Sequence, residues 1–411
     1  MPQSPSLRAP RRPLRVGVAG LGAVAQAVHL PLIANLRETF ELAAICDFSA
    51  KLTTALGERY RIPVAQRYRD VATMLESVEL DGLIVLTSGS HGDVALAALE
   101  RGLPVLCEKP LAVTRAEADR LAAVEGPDHD GERLMLGYMK LFDPAVEEAV
   151  RVARDPAQPM GTLRTVEVTV LHPTSESQLA HAHLLPPPDD IDAGALVLPR
   201  QASAELEAQA LGPAAAELGR LYSGILLGSV VHELAVVREV AGNPVAIDRV
   251  DLWPDGAWPP SVAIQGRLAD GARLSIGWHF LPDYPAYRED VRFHYEHGSV
   301  ELSFPSPYRL HEPTGLVVST GRGETRRQVL LDSIEEAFER ELLAFASMIT
   351  DGTRARSGIA DGRADIVTCQ RIAARLAKDR GIEIGGEAAE AAEAAEASEA
   401  AESPGAAGAR G

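Results

Sequence analysis

Lysine is scarce in this 411-residue chain, which carries only Lys51, Lys109, Lys140 and Lys378 beside many arginines. Arginine stays charged at any useful pH, whereas a buried lysine can lose its proton. A lysine at a strand end in such a chain points to a need for the amine itself, unless the four simply fall without pattern. Cysteine is equally rare. Cys46, Cys107 and Cys369 are scattered, odd in number and never spaced as CxxC. That disfavours a disulfide framework or a zinc site and fits a reducing cytoplasm. No run of His, Cys or Asp has ligand spacing, so no metal is expected. Positive charge is in deficit too. The formal net charge is -18, which argues against a nucleic-acid partner, because phosphate binding needs a basic surface. Long apolar runs are missing. Val16 to Leu36 is broken by glycines, Gln26, His29 and Pro31, and Met1 to Pro13 has Arg8, Arg11 and Arg12 but no apolar core of signal-peptide length. A soluble, cytoplasmic protein with a small-molecule substrate and no membrane partner is the expectation.

What is present is an α/β grammar. Apolar strands at Arg15–Ala19, Glu41–Asp47, Gly82–Thr87, Pro104–Glu108 and Leu134–Tyr138 alternate with amphipathic helices. Alternation of this kind implies a doubly wound parallel Rossmann sheet, here assigned to residues 14–140. After a helix near Asp143–Arg154 the pattern changes. Strands recur at Thr162–Leu171, Ala246–Trp253, Ser261–Leu268, Ala272–Phe280, Asp290–His297 and Ser299–Phe304, several joined by short glycine turns. Two helices follow, near Asp332–Thr350 and Gly362–Arg380. Residues 141–384 are therefore expected to form an α+β domain with a largely antiparallel sheet. Residues 173–213, rich in proline, alanine and acids, read as an insertion or lid-like excursion. Residues 1–13 are expected to be disordered. In residues 385–411, glutamates at 387, 390, 393, 396, 399 and 402 recur among alanines. Nothing apolar anchors that tail, so disorder or only partial helix is expected.

The first strand breaks into Gly17-Val18-Ala19-Gly20-Leu21-Gly22-Ala23-Val24-Ala25, a strand, a glycine turn and a helix start in the order of the dinucleotide fingerprint. Gly20 permits the tight turn, Gly22 lets the backbone approach a pyrophosphate, and Ala25 keeps the helix close to the sheet. Amides near Ala23 and Val24 then face the phosphate charge. Asp47 ends the next strand, where a carboxylate binds ribose hydroxyls and repels a 2′-phosphate. This favours NAD over NADP, although Lys51 softens the preference and Asp47 can also serve as a helix N-cap.

Val105-Leu106-Cys107-Glu108-Lys109-Pro110 supplies the chemistry. Together with Val16 to Gly22, His29-Leu30-Pro31 and Gly137-Tyr138-Met139-Lys140-Leu141-Phe142-Asp143-Pro144, it resembles the glucose–fructose oxidoreductase/inositol dehydrogenase/MocA (Gfo/Idh/MocA) family. The resemblance covers about Arg15 to Ala377. It implies hydride transfer between a nicotinamide and a hydroxyl or ketone carbon of a sugar, cyclitol or related compound. It also implies pairing of copies through the second-domain sheet, to which Tyr284, Tyr287 and Glu289 are assigned, although aromatics beside a carboxylate can also face a sugar. Lys109 is the implied catalytic residue, stabilising alkoxide charge between nicotinamide and substrate. Glu108 orients that ammonium or meets the nicotinamide ribose, and the Lys109–Pro110 bond is of the kind that can be cis. Thr87 and His91 fall beside the cofactor, with His91 equally a helix-start residue. Ser88 stands where the family usually has proline.

His232 matches the family's histidine and can exchange a proton near neutral pH, in a catalytic or substrate-binding role. An ordinary core histidine is the alternative. The family's aspartate, one turn earlier, is replaced by Gly228, so that either another acid such as Glu233 substitutes or the substrate differs. Tyr138 and Lys140, at a strand end, are expected substrate contacts, unless Lys140 merely caps the strand. Two other functions stay open: oxidation followed by elimination across a glycosidic bond, and a non-catalytic nucleotide sensor.

Overall fold

The computed structural model describes residues 12–126, 131–156 and 160–402. The expectations for residues 1–11 and 403–411 lie outside these described residues.

Six parallel strands build the first sheet: β1 Leu14–Ala19, β2 Phe40–Cys46, β3 Arg67–Tyr68, β4 Gly82–Val85, β5 Val105–Glu108 and β6 Leu134–Gly137. Their order is β3-β2-β1-β4-β5-β6. The apolar runs are buried on both faces because helices cover both, and Val16, Val18, Leu83, Ile84, Val105 and Leu106 are fully enclosed. Local signals start the helices. Ser49 caps Ala50–Arg59, Thr114 and Glu117 form a capping box on Arg115–Glu125, and Asp143 with Pro144 opens Pro144–Ala153.

The second sheet has eight strands: β7 Leu163–His172, β8 Pro244–Trp253, β9 Ser261–Leu268, β10 Arg273–Phe280, β11 Arg288–Tyr295, β12 Gly298–Phe304, β13 Gly315–Arg322 and β14 Thr325–Leu331. The order is β14-β13-β12-β11-β7-β10-β9-β8, and β7 pairs in parallel with β10 while every other pair is antiparallel. Strand β7 alternates as its sequence suggests: Val166, Val168 and Val170 are buried and Glu167 is exposed. Strands β3, β13 and β14 lie outside the expected set. The first has two residues, and β14 is a sheet edge whose side chains lie almost wholly in solvent.

The acidic tail departs from expectation. Gly386–Glu402 is a helix, and it is anchored by charge as much as by apolar contact. Glu387 accepts the backbone N–H of Arg115 (2.6 Å) and Ala116 (3.0 Å) and the Gln370 side-chain amide (2.7 Å). It thereby adds a carboxylate to the N-terminus of Arg115–Glu125, where the helix dipole favours one. Arg115 also pairs with Glu390 at 2.6 Å, and Ala388 and Ala391 are buried. Alanine is small enough to let the tail helix sit close to Ile359–Arg380, which a hydropathy pattern does not reveal. Replacing Glu387 with alanine leaves two backbone donors and an amide without their acceptor. Stability should fall by about 1–2 kcal/mol in equilibrium urea unfolding, and an unchanged midpoint would show the tail to be a passenger.

Candidate active site

Gly20 has φ +96°, and a Cβ there would lie 2.5 Å from the carbonyl carbon and oxygen of Leu86. Only glycine fits. At Gly22 a Cβ would meet nothing within 4 Å, so the turn opens onto free space above the sheet. The helix that follows starts at Ala23 and Val24, becomes π-helical over Ala25–His29 and resumes as Leu30–Asn35. Asp47 ties the turn to the next crossover. Its Oδ2 accepts the Leu21 N–H and its Oδ1 the Ser49 N–H, both at 2.8 Å. The N-cap role belongs to Ser49, which accepts the Leu52 N–H. Thr87 closes the cleft at the end of β4, and its buried hydroxyl has no partner. An open glycine turn, a strand-end carboxylate and an orphaned hydroxyl together fit a dinucleotide lying across β2, β1 and β4.

Lys109 follows β5, its bond to Pro110 cis. Its Nζ donates to the carbonyl of Gly228, 2.6 Å away in the second domain. Gly228 lies in a second π-helical stretch, Tyr222–Val230, which runs directly into the helix Val231–Ala241. Such stretches free carbonyls from the regular ladder, and they concentrate at functional sites. A Cβ on Gly228 would approach only the Ser223 carbonyl, at 3.3 Å. The lysine pKa is lowered, chiefly by burial; Glu108 and Glu233 oppose the shift and Lys140 adds to it.

His232 emerges beside this lysine. Burial first, then the charges of Lys109 and Lys140, hold its pKa well below the usual value. The imidazole is therefore neutral near pH 7, and its buried Nδ1 has no partner. It is a proton acceptor with nothing yet to accept from. His172, at the end of β7, is a neighbour that sequence reasoning missed. Its pKa is also lowered, by burial first, and its ring lies 5.1 Å from that of Trp278.

Other expected site residues are engaged by partners within the protein. Tyr138 is fully buried and gives its hydroxyl to Asp365 at 2.5 Å, where Arg238 pairs with the same carboxylate. Its ring edge faces His232 at 6.2 Å, and its hydroxyl is committed to Asp365. Lys140 is no free strand-end cation. Glu289 holds its Nζ at 2.5 and 2.6 Å and Glu233 at 3.2 Å. Tyr287 donates to Glu289 at 2.6 Å, so this tyrosine and carboxylate belong to a buried network and not to an outer subunit contact. His91 has Pro110 O at 2.5 Å from Nδ1 and Thr87 O at 2.7 Å from Nε2. Burial lowers its pKa, so the neutral ring donates one N–H to one of these carbonyls and sits between the Lys109–Pro110 turn and the end of β4, at the start of the helix Gly92–Leu99 as the sequence allowed.

No run in the sequence has ligand spacing, yet the fold gathers a group of possible ligands. His29, Glu108 and Glu341 bring ligand atoms within 4.8 Å of one another, all buried. They lie far apart in sequence, which is why spacing could not find them. One clue was legible: Glu341 shares a helical stripe with Phe338, Leu342 and Phe345, an acid on an apolar face. His29 Nε2 is 3.0 Å from Glu108 Oε1. Burial would raise the Glu108 pKa, but the His29 contact and the Lys109 charge prevail and lower it. Glu341 has no hydrogen-bond partner, and burial followed by the nearby Glu108 charge drives its pKa well up. It is a neutral acid behind an ionised one. A surface hollow of about 730 Å³ beside Arg15, Arg37, Arg59 and Arg61 lies at the opposite strand edge and has no part in this arrangement.

Glu233 is raised from 4.5 to about 8, by burial first and then by Glu289. Its pKa is higher folded than unfolded, so between those values the folded state binds more protons and stability falls as pH rises. Glu233→Gln should flatten that part of the decline, measured by urea unfolding at several pH values between 4.5 and 8. An identical decline in the variant would mean that Glu233 is ionised throughout.

Comparison with known proteins bears on this geometry. Residues 14–138 match the family model described as "Oxidoreductase family, NAD-binding Rossmann fold" (GFO_IDH_MocA). Inositol 2-dehydrogenase of Salmonella typhimurium is 34% identical over 132 residues, 32% of this chain and 38% of that protein. The rhizopine catabolism protein MocA of Rhizobium meliloti is 32% identical over 136 residues, 33% and 40% of the two chains. The matched segment thus spans about two fifths of these curated relatives. Likeness of fold extends further. An aldose-aldose oxidoreductase from Caulobacter crescentus, solved with glycerol, superposes with TM-score 0.66 at 21% identity, covering 90% of this chain and 98% of that one. A 3-ketoreductase from Actinomadura kijaniata, solved with TDP-benzene and NADP, gives 0.62 at 18%, covering 88% and 97%.

Proposed function

Because residues 14–138 belong to the Gfo/Idh/MocA oxidoreductase family, we propose that this chain is a nicotinamide-dependent dehydrogenase or reductase acting on a CH–OH or ketone carbon of a sugar, cyclitol or similar small molecule. The observation that carries the proposal is that Lys109, held by the Gly228 carbonyl, lies near enough to His232 for its charge to help keep that imidazole neutral, while the buried Nδ1 of His232 has no partner. The nicotinamide, when bound, supplies the hydride acceptor or donor.

The chain's own residues do the rest. In oxidation, a substrate hydroxyl takes the place of the Gly228 carbonyl as the partner of Lys109 Nζ. The ammonium then stabilises the alkoxide charge that develops as the proton leaves. His232 receives that proton, and its lowered pKa keeps it unprotonated beforehand. In reduction the same two groups act in reverse: Lys109 polarises the carbonyl and His232 returns a proton. Glu108 accepts the Lys109 backbone N–H at 3.2 Å and so positions the lysine. Gly228 replaces a carboxylate with space and a carbonyl, leaving room for a bulkier substituent beside the reacting carbon.

Asp47 supports NAD over NADP, since a 2′-phosphate would meet its charge. Pairing of copies through the second-domain sheet draws support from edge strand β14, where Leu330 is 72% exposed. Among the described residues, no helix is long and apolar enough to cross a membrane.

Lys109→Ala should cut turnover by about a thousandfold or more while NADH binding, followed calorimetrically, stays within about threefold of wild type. A variant that keeps its turnover removes Lys109 from the mechanism. His232→Asn should also reduce kcat strongly, by about a hundredfold, with little change in nucleotide affinity. A fall in affinity with unchanged kcat would instead assign His232 to binding.

A further inference from the structure

The excursion expected at residues 173–213 does not wander into solvent. It crosses the nucleotide end of the first domain, touching it at two places and coming near it at a third. The Leu185 N–H donates to Gln26 Oε1 at 2.9 Å, in the helix after the glycine turn, and Gln26 is itself pinned by its amide on the Leu21 carbonyl at 2.8 Å. Asp190 reaches the start of the helix Ala50–Arg59: Oδ1 accepts the Ser49 hydroxyl at 2.6 Å and Oδ2 accepts the Lys51 N–H at 2.9 Å. Asp189 pairs with the Lys51 ammonium at 2.5 Å. Further along, Ser203 Oγ lies 3.8 Å from where a Cβ on Gly89 would sit, in the loop after β4. Strands β2, β1 and β4 are neighbours in the sheet, so these contacts bridge the ends over which a dinucleotide would lie.

The chemistry at the β2 end is specific. A 2′-phosphate on the adenosine ribose would seek hydroxyl and amide donors at the helix start just after β2, together with a cation. Here the Ser49 hydroxyl and Lys51 N–H are already given to Asp190, and the Lys51 ammonium to Asp189. The other nearby cation, Arg69, spends its Nε and Nη2 on the Phe48 carbonyl, at 3.0 and 2.7 Å. Three carboxylates, Asp47, Asp189 and Asp190, occupy one corner. The first comes from the nucleotide domain and the other two from the excursion.

We infer that residues 185–203 form a strap over the dinucleotide site and that Asp190 is a specificity residue, holding the donors a 2′-phosphate would need and thereby excluding NADP. The inference rests on the dehydrogenase reading above and adds to it a discriminating group from outside the nucleotide domain. The strap also restricts exit, so bound NADH should leave more slowly than from an open cleft.

The test uses the full chain. NADH and NADPH are titrated calorimetrically into wild type, Asp190→Ser and Asp190→Asn, and NADH release is followed by stopped-flow displacement with excess NAD. Asp190 is half-buried at the surface, and the asparagine keeps its shape and removes the charge, so urea unfolding of both variants checks that the fold is intact. Wild type should prefer NADH. Asp190→Ser should shift the NADPH:NADH affinity ratio towards NADPH by about tenfold or more, from loss of one like charge and release of two donors. The asparagine variant should shift the same way by less, and release of NADH should quicken in the serine variant. A wild type that binds NADH with a ratio unmoved in both variants overturns the inference while leaving the dehydrogenase reading intact. A wild type that binds neither nucleotide overturns that reading first.

Discussion

The site depends on one ammonium group kept in a cleft where water scarcely reaches it. Lys109 spans the boundary between the domains, carried by the end of β5 and held by the carbonyl of Gly228. A buried lysine charge persists only where local dipoles and carboxylates compensate for lost hydration. Here a π-helical turn supplies the carbonyl, and the ionised Glu108 supplies the field. The two domains therefore meet at a point where one of them lacks a stable charge without the other. A second tie, the Tyr222 hydroxyl on the Val113 carbonyl at 2.7 Å, fixes the same boundary a short distance away.

Three buried polar groups surround that lysine, and each sets something different. Glu108 with His29 and the neutral Glu341 holds the backbone on one side. Lys140 between Glu233 and Glu289 makes a closed ion network on another. Tyr138, Asp365 and Arg238 form a third, on which the edge of the His232 ring rests. Buried networks of this type add little net stability, because desolvation offsets most of their attraction. Their effect is positional: a histidine is fixed and neutral, and one amine remains with an exchangeable partner. Since these groups come from both domains and from the final helices, the site exists only in the assembled molecule.

Much of the first domain was legible from sequence. Hydrophobic period, the glycine turn and the acid at Asp47 are local signals, each set by sterics or by the few residues around it. The Glu108-Lys109-Pro110 motif was equally readable as a strand exit with chemistry. The second sheet was readable in its central strands, where alternation marks one buried face. Strand β14 was not, because an exposed edge imposes no pattern, whereas β13 does alternate, with Leu316 and Val318 buried, but went unread. The tail was misjudged because alanine and glutamate look featureless until Glu387 meets the free amides of a helix almost three hundred residues away.

By itself, then, the sequence determined which residues enter the strands, where the chain must turn at Gly20, and which amine stands at the end of β5. Tertiary structure alone decided which polar groups face that amine. Tyr138 and Lys140 look like site residues in the chain yet are consumed by buried partners, while His29, Glu341, His172 and Asp190 gain their significance only from neighbours distant in sequence. The reason is physical. Backbone conformation is governed by contacts within a few residues, whereas the protonation and availability of a side chain depend on burial and on charges brought together across the whole fold.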